Sequence, residues 1–398
     1  MTTRQARRRC STWSRCNKHV PRDGRLWPAV CWLIRARVLT GTRAFSFARV
    51  HETLTIRPIK RRERVSRSID DWRRWIAENI LLGAPPPTLH AALVSHGFNA
   101  DEAALEIDNA LASPYIQGGA RMRNRLRKRD WALSVYGTLS RMRSNGNMVE
   151  RRERLSRDEF LEQYYFQNRP VIITGAFDAW PARSLWSFDY FRERCGDCEV
   201  EVQFGRESDP NYEINQPKLK RTMRFRDYVD LVERSGVTND FYMTANNTSQ
   251  NRASLAALWN DTPIIREYLD PESPETGFFW FGPAGTRTPF HHDLTNNFMA
   301  QVIGRKRVKL IPMSDTPHVY NYLHCYSQVD GNAVDLERFP AMQRANLIEC
   351  TLEPGELLFL PIGWWHYVEG LEASVTMTYT NFVVRNDFCD SYDTYHEV

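Results

Sequence analysis

Three side chains constrain this chain more than any other feature: His291 and Asp293 in Thr288-Pro289-Phe290-His291-His292-Asp293, and His366 at the end of Pro361-Ile362-Gly363-Trp364-Trp365-His366. A strand alternates its faces, so 291 and 293 point together and His292 points away. A third donor then has to come from a neighbouring strand. Leu357-Leu358-Phe359-Leu360 reads as a buried strand after the Glu353-Pro354-Gly355-Glu356 turn, and His366 follows it closely. Two imidazoles and one carboxylate on one face of an iron(II) ion leave its other positions open for oxygen and an organic ligand. The bland alternative, three ordinary hydrogen-bonded polar residues, does not explain the ordered strands and turns around them.

Those surroundings resemble a family. Residues 155–384 are similar to the JmjC, or cupin-8, iron(II)- and 2-oxoglutarate-dependent oxygenases, and within them most to the asparaginyl hydroxylases that act on hypoxia-inducible factor. The motifs are the Thr288–Asp293 run, Asn297-Phe298-Met299-Ala300-Gln301-Val302-Ile303-Gly304-Arg305-Lys306-Arg307, Ser327-Gln328-Val329-Asp330, Glu337-Arg338-Phe339-Pro340, the Pro361–His366 run and Asn381-Phe382. The resemblance implies a mainly β fold, a double-stranded β-helix (jelly roll) with flanking helices. It implies Fe(II) held by His291, Asp293 and His366, and 2-oxoglutarate as cosubstrate, decarboxylated by O2 as a carbon is hydroxylated. Lys306 and Thr288 would hold the distal carboxylate, Tyr242 would add a hydroxyl, and Asn297 and Asn381 would lie near the metal-bound end.

The residues themselves support the lysine. Stretches 296–303 and 306–312 read as a hairpin around Gly304-Arg305, with Phe298, Ala300 and Val302 alternating against Asn297, Met299 and Gln301. Lys306 shares parity with Val308 and Leu310, so its ammonium faces the core, where it is costly without an anion. The competing reading has it snorkelling out at the rim. For Tyr242 the competing reading is a core aromatic with a satisfied hydroxyl.

Substrate recognition departs from the asparaginyl hydroxylases. Cys325-Tyr326 stands where they carry an Arg-Gln pair, and Thr295 also differs; a tyrosine cannot reproduce the two-sided hydrogen bonding of a glutamine amide. The expected substrate is a side chain of a protein or peptide. A modified RNA nucleoside, as in the tRNA-wybutosine hydroxylases, and demethylation of an N-methyl group rank behind it. An inactive cupin scaffold ranks last, because all three ligands and Lys306 are present.

Around this domain the chain divides further. Ser156-Arg157-Asp158-Glu159 is a capping box before the run 160–165, and Val171-Ile172-Ile173 reads as a strand. Residues 68–145 read as a small helical region, with Ile69, Trp72, Trp75, Ile76 and Ile80 at helical spacing and Pro85-Pro86-Pro87 as a break. It is expected to serve as a structural cap or as the element of a homodimer, a state left open, and residues 385–398 form a short tail.

The first 50 residues hold twelve Lys or Arg and one acid, a net of +11, which leaves −6 for the remaining 348 because the whole chain carries +5. Residues 1–67 are expected to be a disordered basic head or a targeting segment; the apolar run 26–34 is too short to span a membrane. A second basic run, 121–129, reads as a grip on phosphates or, more commonly, as the solvated side of a helix. Eight scattered cysteines do not make a disulfide framework, and a reduced cytoplasm is the expected compartment. Cys195-Gly196-Asp197-Cys198, with no second pair, reads as a turn between a helix and a strand rather than a zinc site.

Overall fold

A computed structural model describes residues 68–245, 248–274 and 277–392. The basic head expected over 1–67 and the end of the tail lie outside the described residues. Eight strands form the barrel: β1 (Phe278–Gly282), β2 (Arg287–His291), β3 (Asn297–Ile303), β4 (Lys306–Ile311), β5 (Ile348–Leu352), β6 (Glu356–Leu360), β7 (Trp365–Gly370) and β8 (Ser374–Tyr379).

The chain passes repeatedly from one sheet to the other. The major sheet runs β6-β3-β8-β1, extended beyond β6 by Val171–Thr174 and Glu150–Glu153; the minor sheet runs β2-β7-β4-β5. This is the order a jelly roll wound as a double-stranded β-helix produces. The sheet therefore begins at Glu150, upstream of the boundary expected at 155. Strands β3 and β4 do not form a hairpin: they belong to different sheets, and Gly304-Arg305 is the corner between them. Gly304 has φ 66°, and a Cβ there would lie 2.3 Å from the Ala373 carbonyl oxygen, so the corner requires glycine.

Each face of each sheet has its own cover. On the outer face of the major sheet Phe298, Phe359, Val375, Met377, Phe279 and Phe281 pack under the helical segment that precedes the barrel. Ser156 and Glu159 close the capping box that starts the turn Arg157–Phe160, and this delivers Phe160 into that layer. Its ring meets Tyr268 at 4.8 Å, Phe359 at 5.0 Å and Phe298 at 5.2 Å between centroids. Because β8 is covered outside and faces the barrel inside, all six of its residues are buried, including Ser374, Thr376 and Thr378. Inside, Ile172, Met299, Val308, Leu310, Leu358 and Leu360 form an apolar cluster.

Helices α1 (Ile69–Leu82), α2 (Pro86–Ser95), α3 (Ala100–Ala112) and α4 (Pro114–Arg141) make up the expected helical region. Trp75, Ile76 and Ile80 enter a small core with Leu89, Leu93 and Ile107, whereas Ile69, at the first turn, is 45% exposed. The basic run 121–129 falls inside α4, on a helix as the commoner reading had it. With these helices counted, helical residues outnumber strand residues among those described, so "mainly β" holds for the barrel but not for the chain. Within the tail, Asn386 bonds to the Asn296 backbone and the Thr380 carbonyl. Cys195 ends the helix Phe188–Cys195 and Cys198 precedes the strand Glu199–Phe204, the expected turn. Among the described residues no helix is long and apolar enough to cross a membrane.

Replacing Phe160 by Ala removes a fully buried ring from the junction of helix and sheet, and should lower the unfolding free energy by about 3–5 kcal/mol. Urea denaturation checks this, and a loss below about 1 kcal/mol would show that the aromatic layer repacks around the gap.

Candidate metal and cosubstrate site

The triad is assembled by pairing β2 with β7. His366 faces His291 directly, and two residues further Val368 faces Thr288, so Pro289 and Phe290 of β2 together oppose Tyr367 alone of β7. This bulge at Pro289-Phe290 reverses the parity of β2. Thr288 and His291, an odd number of residues apart, both face the interior, while Phe290 packs outside with Trp365 and Tyr367. Strand β2 stops at His291, so Asp293 is carried by the loop beyond it rather than by the strand. The outcome expected from alternation is reached by a different route. His292 turns outward as expected, its ring 4.8 Å from that of Trp365.

The candidate ligand atoms of His291, Asp293 and His366 lie within 4.8 Å of one another. His291 Nδ1 is 2.9 Å from the Pro289 carbonyl and His366 Nδ1 is 3.0 Å from the Trp364 carbonyl. A carbonyl only accepts, so both Nδ1 atoms donate, and each Nε2 is left with its lone pair. Asn297 Nδ2 stands 3.4 Å from Asp293 Oδ2, while its own Oδ1 is buried without a partner. His366 is buried and its pKa is lowered, by desolvation first and then by His291. His291 and Asp293 are partly open, which leaves one side of the triad accessible. Two imidazoles, each oriented by a backbone carbonyl, and one carboxylate are the donor set that suits iron(II).

On the same inner face, β4 pairs with β7 through Leu310–His366, Val308–Val368 and Lys306–Gly370. Lys306 therefore projects inside, four residues along β4 from the residue that faces His366. It is 2% exposed, and its Nζ donates to Tyr242 Oη at 3.0 Å. Burial pushes the Lys306 ammonium down to about 7, and it raises the Tyr242 hydroxyl above its ordinary range. Tyr242, from the strand Phe241–Tyr242, can still direct its own O–H at an anion shared with the lysine.

The structure thus brings Tyr242 to Lys306 and Asn297 to Asp293, and puts Thr288 on the interior face. Asn381 Nδ2 donates to the Asp270 carbonyl, and its Oδ1 is buried without a hydrogen-bond partner among the described residues.

Sequence reasoning missed Arg206 and Glu213. The Arg206 side chain is fully buried, 3.0 Å from Glu213, and donates at 2.6 Å to the Arg287 carbonyl at the start of β2. Its guanidinium also lies over the rings of Tyr212 and Tyr242. The sequence contains only a glycine and a charge after a strand, Gly205-Arg206, with no pattern that turns the charge inward. Tyr326, noted earlier as a departure, pairs with His291 at the edge of the minor sheet, and their rings stack at 6.1 Å.

Residues 157–382 match the description of a cupin-like domain, and the chain belongs to this JmjC/cupin-8 family. Among its relatives, lysine-specific demethylase 8 of Xenopus tropicalis is 30% identical over 241 residues, 56% of this chain and 50% of that protein. Lysine-specific demethylase JMJ30 of Arabidopsis thaliana is 32% identical over 240 residues, 58% and 54% of the two chains. The human tRNA wybutosine-synthesizing protein 5 is 26% identical over 262 residues, 62% and 82%. The chain spans about half the length of the two demethylase-named relatives. These relatives carry the family and not the narrower likeness to asparaginyl hydroxylases.

The depressed Lys306 pKa predicts a pH dependence in the ligand-free protein. Between about 7 and 10.5 the unfolded lysine binds a proton that the folded one does not, so stability rises with pH across that window. A Lys306→Met variant has no such contribution. Its stability advantage over the parent should be largest below pH 7 and should shrink as pH rises through the window. A constant difference in parallel urea titrations would show that the lysine keeps its charge in the fold.

Proposed function

We propose that this chain is an Fe(II)- and 2-oxoglutarate-dependent dioxygenase that hydroxylates a carbon on a side chain of a protein. The observation that supports this most is the pairing of two carbonyl-oriented imidazoles and a carboxylate with a buried lysine that donates to a tyrosine hydroxyl. Iron and 2-oxoglutarate, when bound, supply the oxygen activation, and the cosubstrate leaves as succinate and carbon dioxide.

The chain's own residues have separate tasks. The Pro289 and Trp364 carbonyls hold both imidazoles through Nδ1, so Nε2 would be the atom each offers to the metal. Asn297 orients the second oxygen of Asp293. Lys306 and Tyr242 receive the distal carboxylate, and Thr288 lies on the same face. Lys306 and Tyr242 are buried, and exclusion of water there strengthens each bond to that carboxylate.

Beside the triad a pocket is lined by Tyr212, Glu213, Pro289, Tyr322, Tyr326 and Ser327. Aromatic faces around a carboxylate suit a cationic side chain, here with a carboxylate that already shares its charge with Arg206. The names of the demethylase relatives favour a second reading for the same site: hydroxylation of an N-methyl carbon, whose product releases formaldehyde.

The iron-loaded chain should form succinate from 2-oxoglutarate in air, and His366→Ala should reduce the rate at least a hundredfold. Lys306→Met should raise the half-saturating 2-oxoglutarate concentration ten- to a hundredfold, the worth of a charge-assisted hydrogen bond. Above about 7 the lysine must gain a proton before it can pair with the carboxylate. Anaerobic binding of 2-oxoglutarate should therefore weaken as pH rises, by up to tenfold per unit. A flat profile between pH 6 and 9 in the parent, or unchanged affinity in Lys306→Met, would remove the lysine from the site.

A further inference from the structure

The triad draws its ligands from two stretches of chain, 291–293 and 366, and Asp293 lies beyond the end of β2, where strand pairing no longer fixes its place. Facing the loop 292–296 is the turn Pro361-Ile362-Gly363-Trp364 that leads into β7. Two bonds join loop and turn. The Gly363 N–H donates to the Asp293 carbonyl at 3.3 Å, and the Ile362 N–H donates to Asn296 Oδ1 at 2.9 Å.

Asn296 is 2% exposed, and both ends of its amide are engaged. Its Nδ2 donates to Asn386 Oδ1 at 2.8 Å, and the same oxygen accepts the Asn296 N–H at 2.9 Å. Asn386 Nδ2 returns a bond to the Asn296 carbonyl at 2.9 Å and gives another to the Thr380 carbonyl, just past the end of β8, at 2.7 Å. A backbone N–H only donates and a carbonyl only accepts, so this pattern allows one orientation of each amide. Asn296 can turn away from Ile362 only by leaving Asn386.

The Ile362 peptide is gripped from its other side as well. Asn168, whose φ of 50° lies in the left-handed region that asparagine tolerates, donates from Nδ2 to the Ile362 carbonyl at 3.0 Å. Its Oδ1 accepts from Trp364 Nε1 at 2.9 Å. The Trp364 carbonyl in turn receives His366 Nδ1. One network of hydrogen bonds therefore runs from Asn386 through Asn296 and the turn to His366, with a branch through Gly363 to Asp293.

We propose that Asn296, oriented by Asn386 of the tail, is a positioning residue that sets the separation of Asp293 and His366 and thereby the affinity of the triad for a divalent metal. The proposal rests on the reading of these residues as metal ligands. Asn296 acts through the turn and not at the metal, because its amide is taken up by Ile362 and Asn386. Partners that orient metal ligands are typically worth about ten- to a hundredfold in metal affinity.

The test measures anaerobic binding of Fe(II) and of Co(II) to the full chain by competition with a chelating dye, beside urea denaturation of the same proteins. Asn296→Ala should weaken both metals at least tenfold and should change the visible absorption of the Co(II) form, which reports ligand geometry. Asn386→Ala, at a partly exposed position and with no bond to the turn, should weaken them at least threefold. Phe225→Ala is the control for stability alone, since it empties a fully buried site under the outer face of the major sheet. It should lower the urea midpoint and keep the metal affinity and Co(II) spectrum of the parent. Metal affinity within twofold of the parent in both asparagine variants, or a loss in Phe225→Ala as large as in Asn296→Ala, overturns the proposal. If Asn296→Ala does not fold, Asn386→Ala decides by the same threshold. A parent that binds neither metal overturns the metal reading and the proposal with it, and the parent's own titration tells that failure apart from a failure of the proposal alone.

Discussion

The site depends on one stretch of strand pairing, the contact of β2 with β7. It sets His291 against His366, and the bulge at Pro289-Phe290 adds Thr288 to the same interior face. Without that extra residue, parity would send either the threonine or the histidine outward. Each imidazole then meets the carbonyl two residues before it, His291 that of Pro289 and His366 that of Trp364. Strand β7 extends the arrangement to β4, and through β4 to Lys306.

The rest of the fold holds these strands in place. Phe160 and its neighbours cover the outer face of the major sheet, and Phe290, Trp365 and Tyr367 cover that of the minor sheet. With both outer faces buried, the one polar surface left is the interior, where His366, Lys306 and Thr376 are at most 4% exposed. Desolvation there has two effects. It destabilises the lysine charge when no anion is bound, and it strengthens the lysine's attraction for an anion that enters. Arg206 supports the same region from outside, tying the start of β2 to the layer that carries Tyr212 and Tyr242.

Much of this was legible in the sequence, for reasons that differ by residue. Lys306 was visible because its parity with Val308 and Leu310 conflicts with its charge, and His366 because a buried strand leads to it. The capping box at Ser156 marked its helix start, since both partners lie within four residues of chain. What escaped depends on long-range geometry. Alternation suggested that one strand carries both His291 and Asp293, but the strand ends between them and a bulge does the turning. The hairpin reading of 296–312 failed because a local turn signal at Gly304-Arg305 cannot say whether two strands pair or cross to opposite sheets. Arg206 is charged and sits in a short turn, and only its partners at 213, 239 and 287 make it a core residue. The basic run 121–129 was read as the solvated side of a helix or a grip on phosphates, and it lies exposed within α4 apart from Arg123, which reaches the Ile80 carbonyl.

The most direct test of the central claim is an anaerobic titration of the purified chain with iron(II) and then 2-oxoglutarate, followed by visible absorption. The account predicts a metal-to-ligand charge-transfer band that saturates at one iron and one 2-oxoglutarate per chain. The band should be absent in Asp293→Ala and should require more 2-oxoglutarate in Lys306→Met. A folded parent that binds iron but develops no band would contradict the account, and would make the barrel a binding scaffold instead of an oxygenase.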